Sequence, residues 1–417
     1  MSERLPRQGV AKRDVLASLE AMRSGDVDWR SGRCFSLVYD GGADVRDVAR
    51  AAHDLYLSEN ALNTNAFPSL GRMQADVVRI VADLLHADEE AAGFMTSGGT
   101  ESILVAVKAA KERARAERGI TEPEMVLARS AHAAFHKAAH DFGVTARVVP
   151  VRDDWRADVD TMAAAVNDRT VLLVGSAPQY PQGVVDPIPE IAGIASHVGA
   201  NCHVDACMGG FVLPFAERLG LSVAPWDFRV DGVTSISADV HKLGYSPKGA
   251  SVIVHRSKAL RRYQTFVFDD WLGGLYASPN LLGTRPAGPI AAAWAVLHYL
   301  GEEGYLRLTR TTLDAATRLV AGIGSVRGIE VRGEPDAQIV CFGATDPASF
   351  DVFALGDALA SRGWYFDRQA GPDSLHATVS AGNAGLIDEL VDDLGELSQD
   401  VAGRRNPDRG TDYATLE

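Results

Sequence analysis

The sequence predicts an α/β protein: a large domain built on a mainly parallel sheet, followed by a smaller α+β domain. Three observations predict it. Between residues 93 and 255, short apolar runs alternate with stretches of helical periodicity, as strand–helix–strand crossovers require. One such run, Thr170 to Val174, is apolar on both faces, as suits a strand buried within a parallel sheet. After about residue 300 the alternation gives way to long helical stretches around a strand-like run from Gln338 to Phe342.

Residues 1 to about 30 are charged and start like a surface helix. Val45, Val48, Ala51 and Leu55 share one face of a helix over about 45–58. Asn60, Asn63, Asn65 and Pro68 mark a loop, after which Met73, Val77, Ile80, Val81 and Leu84 resume helical spacing. Ser102 to Ala116 and Ile188 to His197 read as helices. Met125–Ala128 is a short apolar run, and Thr170–Val174, His203–Ala206, Val233–Ser237 and Ala250–His255 read as strands. Helices follow over 304–323, 350–362 and 383–401. The domains implied are an N-terminal segment (1–58), a large domain (59–300), a small domain (301–401) and a flexible polar tail (402–417).

Composition narrows the function. Lys and Arg number 41 against 55 Asp and Glu, a net charge of −14. That balance argues against a general nucleic-acid partner, which needs clustered cations. No run approaches the ~18 apolar residues of a membrane span, and the start lacks the apolar core of a secretory signal. Cys34, Cys202, Cys207 and Cys341 fit neither a zinc ribbon nor a disulfide framework, so no metal site and a cytoplasmic setting are expected.

Three local signals carry chemistry. Ser97-Gly98-Gly99-Thr100 follows apolar Phe94-Met95 and opens a helix. Read alone, it is either an anion cup or a helix cap. Asp205 lies between apolar and small residues in His203-Val-Asp-Ala-Cys, and is either a cap or the partner of a cation. Lys242, 37 residues further, leaves a strand beside His241 in Ser235-Ile-Ser-Ala-Asp-Val-His-Lys. Desolvation there would lower its pKa and let it condense with an aldehyde; by itself it also reads as a surface lysine. Together the three describe one ligand, a phosphorylated pyridine aldehyde. Pyridoxal 5'-phosphate needs an anion site, a carboxylate at its ring nitrogen and an amine for its aldehyde.

Longer strings make the pattern specific. Ser97-Gly-Gly-Thr-Glu-Ser-Ile-Leu, Ser130-Ala-His-Ala-Ala-Phe-His-Lys-Ala, Ser176-Ala-Pro-Gln-Tyr-Pro-Gln-Gly, His203-Val-Asp-Ala-Cys-Met-Gly-Gly-Phe, Phe228-Arg-Val-Asp-Gly-Val-Thr-Ser-Ile-Ser-Ala-Asp-Val-His-Lys and Asp270-Trp-Leu-Gly-Gly-Leu-Tyr-Ala-Ser-Pro closely resemble the sphingosine-1-phosphate lyase family. That family belongs to the group II pyridoxal-phosphate decarboxylases. The resemblance runs from about Tyr39 to Gly304 and more weakly beyond. It implies the fold type I architecture of aspartate aminotransferase with a seven-stranded sheet, a homodimer, and a soluble bacterial-type member without the N-terminal span of the animal enzymes.

The resemblance also implies roles. Lys242 would carry the cofactor covalently, Asp205 would pair with its ring nitrogen, and His132 would stack on the ring. Gly99 and Thr100 would hold its phosphate, with His241 and Ser237 nearby. Tyr39, in Val38-Tyr39-Asp40-Gly41-Gly42, is similar to an N-terminal active-site tyrosine, and Lys248 to a lysine near the substrate. Tyr276, Ser278, Thr284 and Arg285 fall in a segment that approaches the neighbouring subunit's site, in a catalytic or an interface role.

One stretch departs from the family. The lyases typically read Ser-Asn-Pro-Leu-His-Pro-Asp before Phe-Pro, and here Asn60-Ala-Leu-Asn-Thr-Asn-Ala precedes Phe67-Pro68. Asn63 stands where the family has a histidine lining the substrate site, and asparagine carries no proton at neutral pH. The expected function is cleavage of the C2–C3 bond of a 2-amino-3-hydroxy substrate, giving an aldehyde and an ethanolamine-type amine. Asn63 keeps open an amino-acid decarboxylase, or a lyase for an unphosphorylated β-hydroxy amino acid. A binding protein without activity is the third reading.

Overall fold

The computed structural model describes residues 4–414. A seven-stranded sheet forms the centre: β1 (Ala92–Thr96), β2 (Glu124–Ala128), β3 (Thr145–Val149), β4 (Thr170–Ser176), β5 (Asn201–Asp205), β6 (Ser235–Ala238) and β7 (Ser251–His255), in the order β1-β7-β6-β5-β4-β2-β3. β7 runs antiparallel to both its neighbours and the other pairings are parallel. The six co-directional strands therefore end on one edge, where α/β proteins place their ligands. Every residue of β2, β4 and β5 is buried, consistent with helices on both faces.

Helices α1 (Lys12–Met22), α2 (Ala43–Leu55), α3 (Pro68–Leu84), α4 (Gly99–Arg118) and α5 (Ala134–Phe142) come first in the chain. α3 starts at Pro68, whose fixed φ suits a first helical turn, so the loop expected over 60–68 ends there. α1 buries none of its residues.

A two-stranded hairpin, β8 (Phe266–Phe268) and β9 (Tyr276–Ser278), projects beyond the sheet. The small domain carries β10 (Ile329–Val331), β11 (Ile339–Ala344), β12 (Asp367–Gln369) and β13 (Ser374–Thr378), ordered β10-β11-β13-β12 and antiparallel.

The helix expected over 304–323 is longer, Gly288–Ser325, with a break at Gly301, where φ is +54°. Glycine tolerates that left-handed backbone; the helix packs on the large-domain core as far as Leu308 and on the small-domain core from Ala315. Its first half is buried among large-domain residues and lacks the polar face that periodicity detects.

Phe35 joins the small-domain core from the other end of the chain. It stacks on Phe366 at 5.0 Å, and its amide and carbonyl bond to Tyr365 and Thr378. The segment read as a flexible tail makes defined contacts. Arg409 pairs with Asp351 at 2.8 Å and the Asn406 amide donates to the same carboxylate, so residues 402–414 lead back towards the sheet edge.

Candidate active site

The glycine turn, Asp205 and Lys242 line one cavity of about 340 Å³, with His132, Tyr180, Cys207, Asp239, His241 and Tyr413. Each lies just past a strand end or begins a helix: Ser97 follows β1, Asp205 ends β5 and Asp239 follows β6. A wider groove of about 870 Å³ beside α3 and β1 contains none of the three.

α4 begins at Gly99, so its first amides have no partner within the helix. Glu101 is buried and takes the Ser97 amide at 2.7 Å and the Leu281 amide at 2.9 Å, pinning the turn to the segment after β9. Gly99 has to be glycine: a Cβ there would stand 2.8 Å from both Asp239 Oδ2 and Cys207 Sγ. The amides of Gly99 and Thr100 lie in that first turn, and free amides of this kind can hold an anion.

Asp205 is buried. Its Oδ1 accepts from the Cys207 amide at 3.1 Å and the Ser237 hydroxyl at 3.4 Å. Among the described residues no cation pairs with it and Oδ2 has no hydrogen-bond partner. A buried carboxylate with one oxygen unused on a cavity wall fits a protonated ring nitrogen.

Lys242 Nζ lies 3.0 Å from Asp239 Oδ2; the Asp239 side chain is buried and that of Lys242 is largely covered. Here the structure corrects the sequence reading. Burial does press the amine's pKa down, but Asp239, with Cys207 and Tyr39, outweighs it, and the pKa stands well above the ordinary lysine value. The turn after the lysine is tight. Tyr245 donates its amide to the Lys242 carbonyl at 2.9 Å and holds a left-handed φ of +60°, with its ring buried near Tyr305.

His132 lines the cavity beside Tyr413, whose Oη is 2.9 Å from Nε2. Nδ1 accepts the Ala134 amide at 3.1 Å, so the proton sits on Nε2 and the ring is neutral. Burial lowers its pKa, against the pull of Asp205. His241 is neutral for the same reason: burial takes it to about 4, with Asp239 opposing, and its Nδ1 accepts the Ala250 amide at 3.1 Å. Tyr180 stacks on His376 at 4.0 Å and donates to Asp367 at 2.5 Å.

Tyr39 and Lys248 lie in an adjoining cavity of about 410 Å³ that shares His241 with the first. Lys248 is exposed along its length, but its Nζ turns inward, 4.7 Å from the Tyr39 ring centre and 3.1 Å from the His241 carbonyl. Desolvation, and then the charge of Lys242, lower its pKa to about 8. Burial raises the Tyr39 phenol, with Lys242 opposing.

Other expected residues lie elsewhere. Ser237 is fully buried behind Asp205, away from the glycine turn. Asn63 is exposed outside the cavity of its own chain, where its Oδ1 caps the Asn65 amide at 2.9 Å. Tyr276 and Ser278 belong to β9. Thr284 meets Asn60 at 3.5 Å, and Arg285 holds the Ala61 carbonyl at 2.6 Å and Gln74 at 2.7 Å. Asp239, Glu101, Tyr180 and Tyr413 were not singled out from the sequence, although Asp239 is only three residues before Lys242.

An anion-ready helix start, an unpaired buried carboxylate and a buried lysine on one edge of this sheet define a pyridoxal-phosphate enzyme of the fold type I class. The comparisons carry this further. Residues 20–345 match the pyridoxal-dependent decarboxylase conserved domain. The chain is 39% identical to sphingosine-1-phosphate lyase of Oryza sativa over 97% of its own length and 76% of the relative. It is 41% identical to sphingosine-1-phosphate lyase 1 of Rattus norvegicus, over 90% and 66%. Among solved structures, the Burkholderia pseudomallei sphingosine-1-phosphate lyase superposes with a TM-score of 0.92 at 39% identity, covering 97% of this chain and 94% of that one. A Lactobacillus brevis glutamate decarboxylase, 21% identical with a TM-score of 0.84, shares the fold. The chain belongs to the sphingosine-1-phosphate lyase family, within the pyridoxal-dependent decarboxylases. It is a pyridoxal 5'-phosphate-dependent lyase.

Proposed function

We propose that the protein cleaves the C2–C3 bond of a phosphorylated 2-amino-3-hydroxy sphingoid base, releasing a long-chain aldehyde and phosphoethanolamine. When bound, pyridoxal phosphate supplies the electron sink for the breaking bond. Gly99 and Thr100 would hold its phosphate at the first turn of α4. Asp205 would offer its carboxylate to the ring nitrogen, His132 would cover the ring, and Lys242 would supply the amine. Asp239 balances the Lys242 charge.

The observation that carries this reading is Lys248. Cleavage of this bond needs a base for the 3-hydroxyl proton, which decarboxylation does not. Lys248, with a pKa near 8 and its amine beside Tyr39, suits that task close to neutral pH. Supplying the purified holoenzyme with a phosphorylated sphingoid base is expected to yield aldehyde and phosphoethanolamine in equal amounts. Bound cofactor without aldehyde would overturn the reading, and carbon dioxide release from amino acids would favour a decarboxylase.

The working unit is proposed to be a homodimer. The β8–β9 hairpin exposes Phe266, Val267, Trp271, Leu272 and Leu275, an apolar surface suited to a second copy. Asn63, outside its own cavity, would then serve the partner's site. Four buried, unpaired cysteines suit the cytoplasm.

A further inference from the structure

Behind Asp205 runs a hydrogen-bonded chain that the cofactor chemistry leaves unused. The register of β5 and β6 sets His203 against Ser235 and Asp205 against Ser237. Side chains two residues apart share a face, so all four meet. His203 is completely buried. Its Nδ1 is 2.9 Å from Ser235 Oγ and its Nε2 is 3.2 Å from Ser237 Oγ. Ser237 Oγ in turn reaches Asp205 Oδ1 at 3.4 Å.

Proton counting gives this chain one direction. An ionised Asp205 only accepts, so Ser237 donates to it. Ser237 then receives from His203 Nε2–H, and Nδ1, left bare, receives from the Ser235 hydroxyl. Burial lowers the imidazole pKa to about 4 against the pull of Asp205, so one ring nitrogen carries a proton and the other does not. The Cys207 thiol, 3.4 Å from Ser237 Oγ, is a further donor in the same direction.

We infer that His203 is a positioning residue: fixed by Ser235 as the Nε2–H tautomer, it aims the Ser237 hydroxyl at Asp205 and so sets the basicity that Asp205 presents to the cofactor ring. The inference rests on the reading of Asp205 as the ring-nitrogen partner. The other ionisable groups around the pair are His255 on β7, Cys207 after β5, His132 before α5, Tyr413 from the C-terminal segment, and Lys242 with Asp239 after β6.

The test uses holoenzyme and two readouts that do not depend on turnover. Nitrogen NMR of the native protein is expected to show His203 Nδ1 bare and Nε2 protonated. The pH midpoint of the bound cofactor's absorbance change is expected to move by roughly half to one unit in Ser237→Ala and in His203→Phe, as loss of one hydrogen bond allows. It should move further in Asp205→Asn. Should His203→Phe fail to fold, Ser237→Ala and the NMR result decide. A protonated Nδ1, or an unmoved midpoint in Ser237→Ala while Asp205→Asn shifts, would overturn the inference alone. An unmoved midpoint in Asp205→Asn would overturn the reading beneath it, and the inference with it.

Discussion

Lys242 Nζ and Asp239 Oδ2 form a largely covered ion pair 3.0 Å long, joining the first residue after β6 to the amine on the cavity wall. The pair holds the amine charged until a cofactor takes its place. Asp239→Asn is expected to destabilise the cofactor-free protein by about 3 kcal/mol, because it leaves a buried cation uncompensated. The effect has a defined pH window. Asp239 is lowered on folding: burial opposes this, and Lys242 then His241 outweigh it. Its contribution is present above the ordinary carboxylate value, about 3.9, and is lost as pH falls through the folded value. Lys242 is raised, so its contribution is present below about 10.4 and is lost as pH rises through the folded value. Denaturant unfolding of the two proteins should therefore differ by a constant amount between those limits. Equal stability at pH 7 would show that the pair does no structural work.

Lys248 gives the second expectation. Its folded pKa of about 8 means that the neutral amine accumulates as pH rises past that value. If the amine takes the hydroxyl proton, kcat/KM climbs with pH and levels off above about 8. Lys248→Met should lose that limb along with roughly a hundredfold or more of the rate. Lys248→Arg should lose the limb too, since a guanidinium keeps its proton, while retaining positive charge. A pH profile unchanged in Lys248→Met would assign the base to another residue.

Chemistry carried by consecutive residues was legible in the sequence. The glycine turn, Asp205 and Lys242 each sit in a short string, and the parallel strands that present them are apolar runs between helices. Relationships made by folding were not. Tyr413 reaches His132 across 281 residues, and no local pattern announces it. The helical turns from Gly288 to Leu300 escaped because almost all their residues are apolar, leaving no polar face to set a period. Phe35 falls in the N-terminal segment (1–58) read as separate from the small domain, yet it packs in the small-domain core. Asp239 was in view but had no visible partner until the turn at Lys242 closed.

Tyr413 supports a third expectation. Its Oη accepts the Nε2 proton of His132, and its ring meets Tyr180 edge-on at 5.3 Å. Tyr413→Phe keeps the ring contact and removes the acceptor. One neutral hydrogen bond corresponds to roughly a three- to tenfold effect, expected in kcat with thermal stability unchanged. Deleting residues 402–417 removes ring and acceptor together and should cost more. If the deletion matches the parent protein in both kcat and cofactor affinity, the tail plays no part in the site.

The hairpin offers the last test. Leu272 at its tip is fully exposed and Trp271 beside it is about half exposed (109% and 55%), which a protein in water rarely sustains in a cluster without a partner. The same hairpin leads into Leu281 and Leu282, whose amides bond to Glu101 at the start of α4. An interface here would therefore bear directly on the turn that receives the cofactor phosphate. Leu272→Asp places a charge where the proposed second copy would bury it. Sedimentation is expected to show half the parent mass, with weaker retention of pyridoxal phosphate because the glycine turn loses its outer support. A parent protein that sediments as a monomer would refute the homodimer and leave Asn63 without a site to serve; unchanged mass in Leu272→Asp would place the interface elsewhere.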